Sequence, residues 1–181
     1  MKRLAIFLLA TILFSACSWD GKFKRVKVEN SFTLDIPNFL SKSNMLNDMA
    51  TLQYQDIMRD FYVIVIEEDK SELRSALQLG GLSNSADYTN DLDGYTNLML
   101  DSYSFLMNMK KAPDILEGTV DNRPARFVTV EGEVENEEVF WKVAFIEGTY
   151  KFYQVYTWTA ADKKEEYKIT MNQVLKSFKE L

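Results

Sequence analysis

The run Val139-Phe140-Trp141-Lys142-Val143-Ala144-Phe145-Ile146 carries apolar side chains on both of its alternation sets. Val139, Trp141, Val143 and Phe145 fall on one face of an extended chain, and Phe140, Ala144 and Ile146 on the other. A strand with one wet face alternates, whereas a strand buried on both faces does not. The run therefore predicts a sheet that is covered on both sides. It sits inside a longer stretch of the same character, with Arg126 to Val130 before it and Tyr150 to Trp158 after it. β-branched and aromatic runs separated by short polar turns predict an antiparallel meander.

Upstream, Phe32-Thr33-Leu34-Asp35-Ile36 alternates and stops at Pro37, which predicts a first strand with Phe32, Leu34 and Ile36 inward. Ala50 to Gln55 alternates again, and Phe61 to Ile66 is apolar on both sets, as a central strand would be. Asp69-Lys70-Ser71-Glu72 has the form of a helix cap, followed by Leu73, Ala76, Leu77 and Leu79 before Gly80-Gly81. A longer helix, opened by Asp91, is expected from Leu92 to Met109, with Leu92, Tyr95, Leu98, Met99, Ser102, Phe105, Leu106 and Met109 on one face. Lys110 and Lys111 suit its negative end, and Pro113 bars continuation. Ile115 to Val120 reads as a short strand and Asp121-Asn122 as a turn. A last helix over 162–179, capped by Thr159 or Asp162, turns Tyr167, Met171, Val174, Leu175 and Phe178 inward. Taken together, these elements predict an α+β fold. It is an α/β/α sandwich with one mostly antiparallel sheet of six or seven strands, the 92–109 helix on one face and the 162–179 helix on the other.

The N-terminus has a different character. Lys2 and Arg3 precede an apolar run from Leu4 to Phe14, and Ser15-Ala16-Cys17 follows, the pattern of a secretory signal. That run of 11 residues would reach only about 16 Å as a helix, short of the ~30 Å hydrocarbon core of a bilayer. Cys17 is the only cysteine in the chain and stands where the leader ends. The reading is a lipoprotein signal over 1–16, lipid attachment at Cys17, a tether over 17–29 and one domain over 30–181. The competing reading makes Cys17 an incidental thiol beside an ordinary cleavage site.

Composition removes several classes of function. There is no histidine, so imidazole-based nucleophile activation, acid–base work and metal ligation are all absent. One cysteine excludes an intrachain disulfide and a thiolate cluster. Without Lys2 and Arg3 the 21 basic residues become 19, against 27 acidic ones, a net charge near −8. That charge argues against nucleic acid, whose phosphates require a basic stripe. No cofactor motif is present, and no pattern selects a catalytic residue.

The order of parts resembles the Mog1/PsbP-like fold. The resemblance runs through Phe32-x-Leu34-x-Ile36-Pro37, Ala50-x-Leu52-x-Tyr54, the mid-chain helix, the meander and a C-terminal helix ending on Ser177-Phe178. Phe14-Ser15-Ala16-Cys17 resembles a bacterial lipobox, with Phe14 where that motif usually carries Leu, Val or Ile, and the chain is similar to small lipoproteins of Bacteroides-type bacteria. The resemblance implies a domain that binds other proteins, as members of the fold bind a small GTPase or a photosynthetic complex. It brings no active-site residues.

Candidate surfaces are few. Glu131 to Glu138 packs five carboxylates into eight residues at an expected hairpin tip, and Glu133, Glu135 and Glu137 alternate there. They are candidates for docking a basic partner, or else a solvated tip whose charges discourage edge pairing. Ca²⁺ would require six to eight converging oxygens. Lys142 and Gln154 interrupt the apolar rows of the meander and are candidates for a partner surface where helix cover ends. Asp91-Leu92-Asp93-Gly94 matches only part of an EF-hand loop: Thr89 would stand at its first ligand position and Leu100 at its last, so helix capping explains it better. The resulting expectation is a membrane-anchored envelope lipoprotein, a non-enzymatic module held by its N-terminal lipid and bound to an unknown envelope protein. The alternative is a carboxylate-dependent envelope glycan hydrolase, since 27 acidic residues offer many pairs and none is singled out.

Overall fold

The computed structural model describes residues 22–81, 88–111 and 113–181, with the side chains of 104–106 left aside. Cys17 and the leader expected before it lie outside the described residues, as do residues 82–87. Eleven strands and three helices follow in the order β1 Phe23–Val28, β2 Phe32–Pro37, β3 Ser41–Lys42, β4 Ala50–Asp56, β5 Phe61–Asp69, α1 Lys70–Leu79, α2 Leu92–Leu106, β6 Asn108–Met109, β7 Asp114–Val120, β8 Arg123–Val134, β9 Glu137–Glu147, β10 Lys151–Ala160, α3 Lys164–Lys176 and β11 Lys179–Glu180.

Eight strands form one antiparallel sheet in the order β3-β4-β5-β10-β9-β8, with β6 and β7 sharing the outer edge of β8. Alternation then divides the core in two. Phe61, Val63, Val65, Phe140, Ala144, Ile146, Tyr153 and Val155 face Tyr167, Met171, Val174 and Leu175 of α3. Ile64, Ile66, Val143, Phe145, Phe152 and Tyr156 face Leu73 and Leu77 of α1 and Leu92, Tyr95 and Tyr103 of α2. The two-faced burial expected from Val139–Ile146 is realised, with helices on opposite faces.

The second sheet was not expected. β1, β2 and β11 form a three-stranded sheet beside α3, and Phe32, Leu34 and Ile36 are fully buried beneath it. The stretch read as a tether is therefore strand over residues 23–28, paired with β2 from Phe23 opposite Pro37 to Val28 opposite Phe32. Its basic residues alternate with apolar ones: Arg25 is solvent-facing and bonds Asp35 across the hairpin at 2.7 Å, while Phe23, Val26 and Val28 pack on the core.

Two helix ends also differ. α2 stops at Leu106, and Met109 lies in β6 rather than on the helix. Lys110 pairs with Glu138 and Lys111 with Asp114, so neither serves the helix end. α3 starts without a side-chain cap: Thr159 is fully buried in β10, and Asp162 lies in a short 3₁₀ turn. Asp91 does cap α2, accepting from the Gly94 N–H at 2.9 Å. Two hairpins close with paired positive-φ residues, Asp121 and Asn122 (48° and 63°) and Glu135 and Asn136 (52° and 72°), the pattern of a two-residue I′ turn.

The β1–β2 hairpin runs along β5, which gives the molecule two poles. At one, Asn38 N–H donates to the Lys22 carbonyl at 2.8 Å, and Phe39 packs edge-on to Phe61, 5.6 Å between centroids. At the other, Ser31 reaches Glu67 at 2.8 Å. Glu67 is six residues further along β5 than Phe61, about 20 Å at ~3.3 Å per residue.

Candidate functional site

A cleft of about 610 Å³ opens at the second pole, lined by the β1–β2 turn, the β9–β10 turn and the end of β11. Glu67 and Tyr153 stand opposite each other on β5 and β10 and project to the same face. Glu180 arrives from β11, and the Leu181 N–H donates to the Ser31 carbonyl at 2.9 Å, tying the chain end to the β1–β2 turn. Gly148 is required by close approach: a Cβ there would lie 2.5 Å from both a Tyr153 ring carbon and a Glu180 oxygen.

The cleft floor is a connected polar chain. Lys151 pairs with Glu67, whose side chain is only 7% exposed, and Ser31 donates to the same carboxylate. Ser31 and Tyr153 hydroxyls lie 3.5 Å apart, and Tyr153 donates to Glu180 at 3.0 Å. Glu180 also accepts from the Thr149 N–H at 3.0 Å and the Thr149 hydroxyl at 3.0 Å, and pairs with Arg123. Burial, with the Glu180 carboxylate beside it, pushes the Tyr153 hydroxyl up to about 12. Two largely buried carboxylates thus each have a cation and a hydroxyl. At the rim, Tyr150 is 78% exposed and Leu181 54%. A polar floor with satisfied charges under an aromatic, apolar rim is suited to holding a ligand by contact and hydrogen bonding.

The structure does not bring the expected surface residues together. Gln154 is not at the surface: it is 3% exposed beneath α2, donating to Tyr95 at 2.6 Å and to Glu68 at 3.2 Å, and accepting from Tyr156. The apolar row is interrupted there by an internal polar network, not by the edge of the helix cover. Lys142 lies on the α3 face, half-buried, 3.3 Å from the Thr129 hydroxyl, and burial followed by Lys176 lowers its pKa. Glu135 and Glu137 are exposed at the β8–β9 turn, Glu133 is half-buried beside it, and Lys142 is five residues further along β9 than Glu137, about 16 Å at ~3.3 Å per residue. Among the described residues no group of three or more acidic or cysteine side chains is placed to hold a metal ion. Among the aromatic side chains of β9, β10 and the turn between them, Tyr153 and Tyr156 are core, Trp141 and Trp158 are half-buried and pack tilted with centroids 5.7 Å apart, and Tyr150 is exposed.

Sequence reasoning passed over Ser31, Glu67, Tyr153 and Glu180 as a set. One signal existed: alternation from Val63 and Val65 puts Glu67 on the inward face. Nothing local marks Glu180, which joins the cleft only because β11 folds back.

The sandwich of helices on a mostly antiparallel sheet is the PsbP-like α+β fold. No protein-family model matches the chain, and no curated protein matches it in sequence. Among solved structures, it is similar to the cyanobacterial PsbP protein CyanoP from Synechocystis, at 14% identity and a TM-score of 0.56, with 93% of this chain and 99% of that one covered. It is also similar to LpqN of Mycobacterium tuberculosis, a protein described as involved in cell envelope biogenesis, at 12% identity and a TM-score of 0.50, with 89% of this chain and 92% of that one covered.

Proposed function

We propose that this protein is a cell-envelope lipoprotein, anchored through Cys17, whose domain holds a partner protein at the Ser31–Glu67–Tyr153–Glu180 cleft without carrying out chemistry on it. The cleft carries the reading. Its two buried carboxylates are each engaged by a cation and a hydroxyl, and its rim offers Tyr150 and Leu181 as contact area. A glycosidase requires one carboxylic acid free to protonate a leaving oxygen and a second carboxylate free to act on carbon or water. Charges already compensated favour recognition over turnover. The involvement of LpqN in cell envelope biogenesis is in keeping with an accessory protein on this fold. Among the described residues no helix is long and apolar enough to cross a membrane.

Two experiments test this. A photocrosslinker placed at Tyr150 in cells should capture one protein reproducibly, and the same group at Ile169 on the outer side of α3 should not. Equal capture from both positions, or turnover of envelope glycans by the purified protein, would overturn the cleft reading. For the anchor, the wild type should take up a palmitate analogue, and Cys17→Ala should leave the detergent phase.

A further inference from the structure

We infer that the pole bearing Lys22 is a membrane-contacting foot, and that the β4–β5 hairpin tip, Ile57-Met58, sits in the boundary between lipid headgroups and acyl chains. The inference rests on the lipid anchor proposed at Cys17. Its geometric part comes from where the described chain begins. Cys17 and Lys22 are five residues apart, a reach of at most about 18 Å at ~3.6 Å per residue. Lys22 therefore cannot stand far from the bilayer that holds the lipid.

Lys22 lines a shallow hollow of about 280 Å³ with Phe23, Pro37, Asn38, Phe39 and Thr170. Phe39 joins this hollow to the hairpin tip, with the Arg59 guanidinium 4.8 Å over its ring and Phe61 against its edge. At that tip Ile57 is 65% exposed and Met58 90% exposed. Two adjacent apolar side chains have no cover of their own at a turn whose charges cancel in pairs. Arg59 holds Asp56 at 3.1 Å, and Lys163 holds Asp60. A neutral, apolar protrusion beside the point of attachment fits the apolar boundary of a bilayer better than it fits water.

The acidic β8–β9 tip extends from the same end of the sheet. Its strands β9 and β8 lie two and three steps from β5, so the twist of about 20–25° per step turns it aside by about 40–75°. The cleft, at the opposite pole, is then held away from the lipid and open to a partner.

The test uses the mature lipoprotein extracted from membranes and reconstituted in phosphatidylcholine vesicles. The Cys17 sulfur carries the lipid in a thioether in this form, so Met58→Cys and Met45→Cys each present one free thiol for an environment-sensitive dye. Met45 is the matched control, 86% exposed in the loop at the cleft end of β4. The dye at 58 should shift to the blue and be quenched several-fold more strongly by nitroxide lipid than the dye at 45. If both dyes stay solvent-like on palmitate-labelled protein, the foot is overturned and the anchor stands. A dye at 58 shielded without lipid quenching, with crosslinks to a second copy or another protein, also overturns it. A mature chain carrying no lipid overturns the anchor and the foot together.

Discussion

Gln154 shows how one polar side chain is accommodated in an apolar row. It lies between Ile66 on β5 and Phe145 on β9, in a position where an aliphatic residue would satisfy the pattern. Its amide instead bridges Tyr95 and Glu68 on one side and Tyr156 on the other, and Tyr156 continues to Tyr103 of α2. Tyr95 also stacks on Phe152, 4.4 Å between centroids, so the network and the aromatic core share one side chain. Removing one member leaves the others buried without partners, which costs about 1–3 kcal/mol per group. Gln154→Leu should therefore destabilise the fold by ~2–4 kcal/mol despite its better match to the apolar row. Tyr95→Phe, which keeps the stacking, should cost less, ~1–2 kcal/mol. Urea unfolding with an unchanged slope measures both, and a neutral Gln154→Leu would refute the network's role.

At the scale of elements, β1 decides whether the N-terminal segment belongs to the domain. Its side chains Phe23, Val26 and Val28 pack on the core, and its backbone covers one edge of β2, while β11 covers the other with Thr33 opposite Lys179. Burial of an aliphatic or aromatic side chain contributes about 1.5–3 kcal/mol when complete, and these three are partly buried. Deleting residues 1–28 should thus lower stability by ~3–5 kcal/mol relative to a chain starting at Lys22. Equal unfolding midpoints for the two chains would return the segment to the status of a tether. The α3 segment shows the complementary case: Tyr167, Met171, Val174 and Leu175 are inward as their spacing predicts, and Ile169 is exposed.

Across the whole molecule, tyrosines on both faces of the sheet share one electrostatic property. Tyr62, Tyr95, Tyr103, Tyr153, Tyr156 and Tyr167 all have raised pKa values, each chiefly because burial penalises the phenolate. In the unfolded chain they ionise near 10, whereas Tyr153 and Tyr167 are held up to about 12 in the fold. A folded value above the unfolded one means that the native state binds protons more tightly there. The stabilisation is complete below the unfolded value and is lost as pH rises from about 10 through about 12. The denaturant midpoint should be flat from neutral pH to about 9.5 and fall steeply above it. A midpoint that holds to pH ~11.5 would contradict the burial of these phenols.

Local chemistry by itself determined the composition of both faces of the central sheet, the inward stripe of α3, the Asp91 cap and the turn at Asp121-Asn122. Each depends on side-chain period or on backbone preference within a few residues, which is information the chain carries at short range. The reading of residues 1–16 as a leader and of Cys17 as a lipid site is a proposal that rests on local pattern alone. Only tertiary structure decided that residues 23–28 are a strand, because their partner is β2 and their cover is a core assembled from the other end of the chain. It also placed Gln154 inside, where Tyr95 arrives from a helix 59 residues away. The cleft belongs wholly to this second class: Ser31, Glu67, Tyr153 and Glu180 come from four separate elements. A constellation joined by contacts between distant residues leaves no periodic trace in the chain, because periodicity records which way a side chain faces and not what it meets there.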